Sequence, residues 1–138
     1  MSNLYSQFTF DAALEVKAAG LVAATAAGPI LEIGEGLLDG FLVIDMTACE
    51  IENGNEIYTI SVEASNTADM TTGSACVARK VLGNLVVPMD AAVSAAGRYV
   101  VPFRNEEGGE IFSYIRVHTT VDGAVATGIN YSAFIAKR

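Results

Sequence analysis

The chain has 138 residues, enough for one domain that buries about two-thirds of the surface its unfolded form exposes. Its formal net charge of −8 argues against a nucleic-acid partner, because binding to phosphate backbones needs a basic surface. Residues 18–31 form one of the two longest uncharged runs, which is too short to span a bilayer, and residues 1–10 lack the basic start and apolar core of a secretory signal. The sequence therefore predicts neither a membrane protein nor a secreted one.

The first 27 residues give the least certain pattern in the chain. Residues 1–10 are predicted to form either an N-terminal arm or an edge strand. Over residues 11–27, Asp11 could cap an alanine-rich helix, since alanine is the best helix former. Residues 14–18 instead alternate with the period of two that is typical of a strand, and Gly20 interrupts a helix. We favour a strand here.

The middle of the chain shows short apolar or alternating segments separated by turn-forming residues. Such segments are typical of strands, and the Asn53-Gly54 pair between two of them is a strong signal for a tight turn. In one of these segments Tyr58, Ile60 and Val62 are predicted to point inward. The predicted strands are residues 30–33, 41–47, 57–64, 75–82, 85–87 and 98–103.

The last third of the chain contributes two further predicted strands, residues 111–119 and 129–135. In the first, the alternation assigns Ile111, Ile115 and Val117 to the core. The opposite face carries the polar and aromatic side chains Phe112, Tyr114, Arg116 and His118. In the second, one face carries the inward set Ile129, Tyr131, Ala133 and Ile135. The loop between the two strands is long enough either to close a hairpin or to cross between sheets.

About eight short strands with recurrent turn signals predict an all-β fold, and their spacing is typical of a sandwich or jelly roll. We therefore expect a single-domain, jelly-roll-like antiparallel β-sandwich over residues 1–138. The order in which the strands pair is not readable from the sequence.

No constellation of residues points to catalysis, so the chain is predicted not to be an enzyme. His118 is the one histidine, and the sequence has no nucleophile motif such as G-x-S-x-G. The carboxylates Glu32, Glu35, Asp39 and Asp45 lack the spacing of a calcium loop and are predicted to form a solvated acidic rim. No cofactor or metal is predicted. Cys49 and Cys76 lie in apolar surroundings and are predicted to be reduced core residues.

The face that carries Tyr114, Arg116 and His118 is the candidate partner-contact surface. Two readings of the neighbouring aromatic residues stay open. Phe112, Tyr114, Tyr131 and Phe134 could form a platform for sugars or for a partner, or they could be core, because alternate strand positions face inward. A carbohydrate-binding β-sandwich module is therefore the alternative function.

Several segments carry a resemblance to a known family. They are residues 97–105 (GRYVVPFRN), 114–117 (YIRV) and 126–134 (ATGINYSAF), with residues 40–45 (GFLVID) and 58–66 (YTISVEASN) upstream. Together they resemble the jelly-roll capsid cement, or decoration, proteins of tailed bacteriophages. The likeness covers most of the chain and is weakest in the N-terminal third.

The resemblance implies a structural virion protein that is assembled in the host cytoplasm and lies on the capsid exterior. Its partners would be the major capsid protein and a second copy of itself, as a homodimer. It would stabilise contacts between neighbouring capsid subunits. The family supplies no catalytic residues to transfer, and no nucleic-acid or membrane partner is expected.

Overall fold

A computed structural model describes residues 14–84 and 94–137. These residues form eleven strands and no α-helix. The strands are β1 (Glu15–Val22), β2 (Ala26–Ala27), β3 (Leu31–Glu32), β4 (Asp39–Cys49), β5 (Ile57–Ser65), β6 (Ala75–Gly83), β7 (Gly97–Arg104), β8 (Glu106–Glu107), β9 (Glu110–Ile111), β10 (Tyr114–Asp122) and β11 (Ile129–Lys137).

The strands form two packed antiparallel sheets and one small hairpin. Sheet A has the order β1-β11-β4-β7, sheet B has the order β2-β10-β5-β6, and β8 pairs with β9. Strand β3 also pairs with β10, so that β2 and β3 share one edge position, interrupted at Gly28-Pro29. Counted by position in the chain, the eight places read 1-8-3-6 and 2-7-4-5. This double Greek-key order is the jelly-roll topology, and the predicted β-sandwich is confirmed.

One apolar core lies between the two sheets. Sheet A contributes Leu42, Ile44 and Ile135, and sheet B contributes Ile60 and Ile115, all with no exposed surface. Alternation explains the set, because every second residue of a strand faces the same side. A second buried cluster lies on the other face of sheet A and contains Phe41, Val43, Phe134 and Ala136. Strand β4 is therefore buried on both faces, as its continuous apolar run predicts.

Most of the predicted strands are confirmed where the structure describes them. Residues 15–22 are extended, so the strand is correct and the helix is excluded for that part of the ambiguous stretch. Tyr58, Ile60 and Val62 point inward from β5, and the inward set predicted for β11 is fully buried. The predictions for residues 1–10, 11–13 and 85–87 concern segments outside the described residues.

Three core assignments were wrong. Ile111, predicted to be inward, is 39 % exposed, and Phe112, predicted on the outer face, is 4 % exposed. The alternation breaks between them because β9 ends at Ile111 and β10 begins only at Tyr114. The Phe112 N–H donates to the backbone carbonyl of Asn105, which turns the phenyl ring into the core. Cys76, predicted to be a core residue, is exposed, and both cysteines are free thiols.

The loop after β10 crosses from sheet B to sheet A and is anchored at one end of the sandwich. The Glu50 carboxylate accepts hydrogen bonds of 2.9–3.2 Å from the backbone N–H groups of Ala126 and Thr127. Asn55 Oδ1 accepts a bond from the Ala124 N–H, and Asn53 Nδ2 donates to the Ala124 carbonyl. Side chains of the β4–β5 loop therefore hold the crossing loop, an arrangement that fixes where the two sheets connect.

Candidate functional site

The predicted contact residues Tyr114, Arg116 and His118 lie together on β10. They project from sheet B on the side away from sheet A, and each is half-buried. The intervening residues Ile115 and Val117 are buried in the core. Spacing of two along a strand produces this separation, because successive side chains point to opposite faces. The shared face follows from the sequence, and its role in contact remains a prediction.

Arg116 is neutralised on this face by a carboxylate from the adjacent strand. Its Nε atom lies 3.0 Å from Glu63 Oε1, and the two residues are cross-strand neighbours in β10 and β5. Each side chain is 23 % exposed. Partial burial makes the pair less subject to screening by salt than a fully exposed one. Arg116 thus presents a positioned guanidinium with little net charge.

His118 belongs to the next pair on this face, two residues further along β10, and the described residues around it are not those of a catalytic base. Its Nδ1 atom is 3.4 Å from Thr120 Oγ1, and its cross-strand neighbour is Ser61. Ser61 Oγ donates to the His118 backbone carbonyl at 3.3 Å rather than to the imidazole. Within the part of the chain that the structure describes, His118 joins no Ser–His–carboxylate chain of hydrogen bonds such as nucleophilic catalysis requires. The arrangement suits contact through hydrogen bonds.

The aromatic residues do not form an exposed platform. Phe112, Tyr131 and Phe134 are 4 %, 0 % and 3 % exposed, and only Tyr114 of this set reaches the surface in part. Sugar-binding platforms need an accessible ring face, because the contact is made by stacking. The carbohydrate-binding alternative therefore loses the feature that motivated it.

The predicted acidic rim is partly paired. Asp45 binds Arg98 through two contacts of 2.7 and 3.0 Å, and Asp39 lies 3.7 Å from Arg104. Within residues 14–84 and 94–137, no group of three histidine, cysteine or carboxylate side chains is placed to hold a metal ion.

An open groove of about 730 Å³ lies at the end of the sandwich where the β3–β4 loop meets the end of β11. Five of its nine lining residues are leucine or isoleucine, and its polar side chains are two carboxylates and one amine. It is lined by Leu14, Leu31, Glu32, Ile33, Gly36, Leu37, Leu38, Asp39 and Lys137. The lining contains no hydroxyl, thiol or imidazole side chain to act as a nucleophile.

Two carboxylates with lowered pKa values, Glu50 and Glu56, lie elsewhere and serve the fold. Hydrogen bonds from Thr127 and Ala126 lower the pKa of Glu50. Burial by itself would raise the pKa of Glu56, but hydrogen bonds from the Asn53 and Asn55 N–H groups outweigh it and the net shift is downward. Glu56 has no exposed surface and also accepts a bond from Asn84 Nδ2. Glu50 is held by donors of the crossing loop, and Glu56 by donors of its own loop and by Asn84, so both carboxylates serve the structure.

Two residues that the sequence analysis did not include, Ser61 and Arg79, share the face of the predicted contact set. Arg79 of β6 lies opposite Ser61 of β5, which in turn lies opposite His118. Strict alternation along residues 75–82 would place Arg79 and Cys76 on opposite faces of the sheet. The bulge between them puts both side chains on the same face. The cross-strand register, which sequence does not reveal, brings Arg79 into this row.

The described residues contain no helix that is long and apolar enough to cross a membrane. Compared with protein-family models and with curated proteins, the sequence gives no significant match.

Proposed function

We propose that this protein is a capsid cement, or decoration, protein that binds the outside of a phage head and stabilises contacts between major capsid subunits. The observation that carries the proposal is the strand order 1-8-3-6 and 2-7-4-5, the jelly roll that the family resemblance implies. The resembling segments overlap its strands: residues 97–105 contain all of β7, residues 114–117 begin β10, and residues 126–134 run from the crossing loop into β11.

The chemistry of the surface is consistent with a binding role. The outer face of sheet B carries a ladder of polar side chains, with the Arg116–Glu63 pair near its centre. A polar face with positioned hydrogen-bonding groups suits contact with another protein, whereas small-molecule sites are concave and mostly apolar. The net charge of −8 opposes binding to packaged DNA and favours a place outside the shell.

Binding through two sites at once makes the attachment to the capsid stronger than a single contact would. A homodimer that bridges neighbouring capsid subunits engages two sites at once, so the second contact forms at high effective concentration. Modest individual contacts then give stable decoration. Sedimentation analysis of the purified protein is expected to give twice the mass of the 14.4 kDa chain.

Co-sedimentation tests the proposal. Purified protein is mixed with undecorated heads of the phage that carries its gene, and the heads are pelleted. We expect saturable recovery of the protein in the pellet, with fully decorated heads as the control that takes up none. Protein that remains in the supernatant at every head concentration would refute the proposal.

A further inference from the structure

A row of polar side chains crosses the outer face of sheet B at the level of His118. In register across three strands it contains His118 of β10, Ser61 of β5 and Arg79 of β6, and we call these three residues the Arg79 row. Neighbouring strands are about 4.8 Å apart, so the row spans roughly 10 Å. The next pair on the same face of β10 and β5, two residues along each strand, is Arg116–Glu63.

Arg79 differs from most other cations of the described chain in having no partner. Three arginines are held in ion pairs, Lys17 donates to three backbone carbonyls, and Lys80 lies 5.6 Å from the centre of the Tyr99 ring. The paired arginines are Arg98, Arg104 and Arg116. Arg79 is exposed, and no described residue gives it a hydrogen bond or an ion pair. In an acidic protein, an exposed and unpaired guanidinium is a place where a negative group is attracted.

We propose that the Arg79 row is a docking site for carboxylate side chains of an acidic protein segment. This inference rests on the proposed function, in which the segment belongs to the major capsid protein. The guanidinium of Arg79 forms paired hydrogen bonds with a carboxylate, a geometry that a planar fork of donors favours. The His118 imidazole, at the other end of the row, offers a second donor.

The neighbours of the row favour a protein carboxylate over a nucleic acid. The next pair on this face, Arg116–Glu63, is already an ion pair, so it offers no second free cation for a further phosphate of a nucleic acid, whereas one carboxylate needs only Arg79. Nucleic-acid binding needs a basic stripe that neutralises several phosphates, and the formal net charge of this chain is −8. Arginine is also among the residues enriched at protein interfaces.

Charge reversal with a matched control tests the site. The variants are R79E, the milder R79Q, and K137E, which makes the same change in net charge at an exposed lysine of sheet A. Binding to undecorated heads is measured by co-sedimentation at two salt concentrations. We expect R79E to bind at least 10-fold more weakly, R79Q to bind several-fold more weakly, and K137E to bind as the wild type. Equal urea midpoints confirm that each variant is folded.

The outcomes separate this site from the proposed function. Wild-type protein that fails to bind heads contradicts the function. Wild-type binding that R79E and R79Q leave unchanged overturns the Arg79 row alone.

A second arm does not depend on heads. Isotope-labelled protein is titrated with hexaglutamate and, separately, with a six-nucleotide single-stranded DNA, and amide shifts are followed by NMR. Hexaglutamate is expected to shift the amides of residues 61, 79 and 118 and to leave β11 unchanged, with the shifts lost in R79E. Preferential shifts with DNA, or no shifts with hexaglutamate, overturn the proposal. Loss of self-association in R79E, measured by sedimentation, would also overturn the proposal, because the Arg79 row would then bind a second copy of this chain.

Discussion

The hydroxyls of Thr119 and Tyr131 bond to each other across the interior, 2.5 Å apart, and join sheet B to sheet A. Thr119 is 3 % exposed and Tyr131 has no exposed surface. Burial raises the pKa of Tyr131 to about 12, against the bond to Thr119, which by itself lowers it. The phenol therefore stays protonated at neutral pH and the bond is maintained.

Removing one partner of this bond is expected to leave the other hydroxyl buried without a hydrogen bond. Y131F or T119V leaves a buried hydroxyl unpaired and should lower the free energy of unfolding by about 1–3 kcal/mol. The double variant leaves no orphan, so its loss should be smaller than the sum of the two. Urea denaturation of the four proteins measures this coupling, and additive losses would contradict it.

Glu50 makes the fold sensitive to acid. Its hydrogen bonds to Thr127 and Ala126 lower its pKa in the folded state, so the stabilisation is complete above the unfolded pKa of about 4.3. It is lost as the pH falls through the folded value. E50Q should therefore destabilise the protein at pH 7 and have less effect at pH 3. The control is E52Q, which removes an exposed carboxylate two residues further on. An E50Q loss that is equal at both pH values would refute this account.

Gly128 and Gly34 have similar positive φ angles, but only Gly128 also lacks room for a side chain. It has a φ of 90°, and a Cβ there would collide with the Val22 carbonyl, so G128A should cost about 3 kcal/mol or more. At Gly34 the φ is 88° with open space, and G34A should cost about 1 kcal/mol. Thermal melts of the two variants measure the difference. Equal losses would show that the crossing loop adapts.

The two thiols should differ sharply in reactivity. Burial raises the pKa of Cys49 to about 11, with a smaller contribution from the charge of Glu56, whereas Cys76 is exposed. A thiol reagent at pH 8 should modify one cysteine rapidly and the other only on unfolding, because the thiolate is the reactive form. C76S should abolish the rapid phase. Two rapid equivalents in the native wild type would contradict the placement of Cys49.

Local alternation predicted the strands whose large apolar residues repeat without interruption. In β5 the residues Tyr58, Ile60 and Val62 recur at every second position and all face the core. The prediction failed at Ile111 and Phe112, because the hydrogen bond from the Phe112 N–H to the Asn105 carbonyl shifts the phase. That bond closes a loop around the β8–β9 hairpin, which the period of two does not encode.

The candidate contact face was predictable along one strand and not across strands. Tyr114, Arg116 and His118 follow from spacing within β10. Arg79 joins them through the β6 register, which includes a bulge between the residues that face Val62 and Glu63. Pairing partners are set by long-range contacts, and the crossing of the β10–β11 loop between sheets depended on them as well.

The most direct measurement of the central claim is the stability of heads filled with DNA, with and without this protein bound. Heads are saturated with the wild type, heated in steps, and the release of DNA is followed by dye fluorescence. The account predicts release at a higher temperature for decorated heads, with K137E protective and R79E not. Release at the same temperature from heads that carry the bound wild-type protein would contradict it.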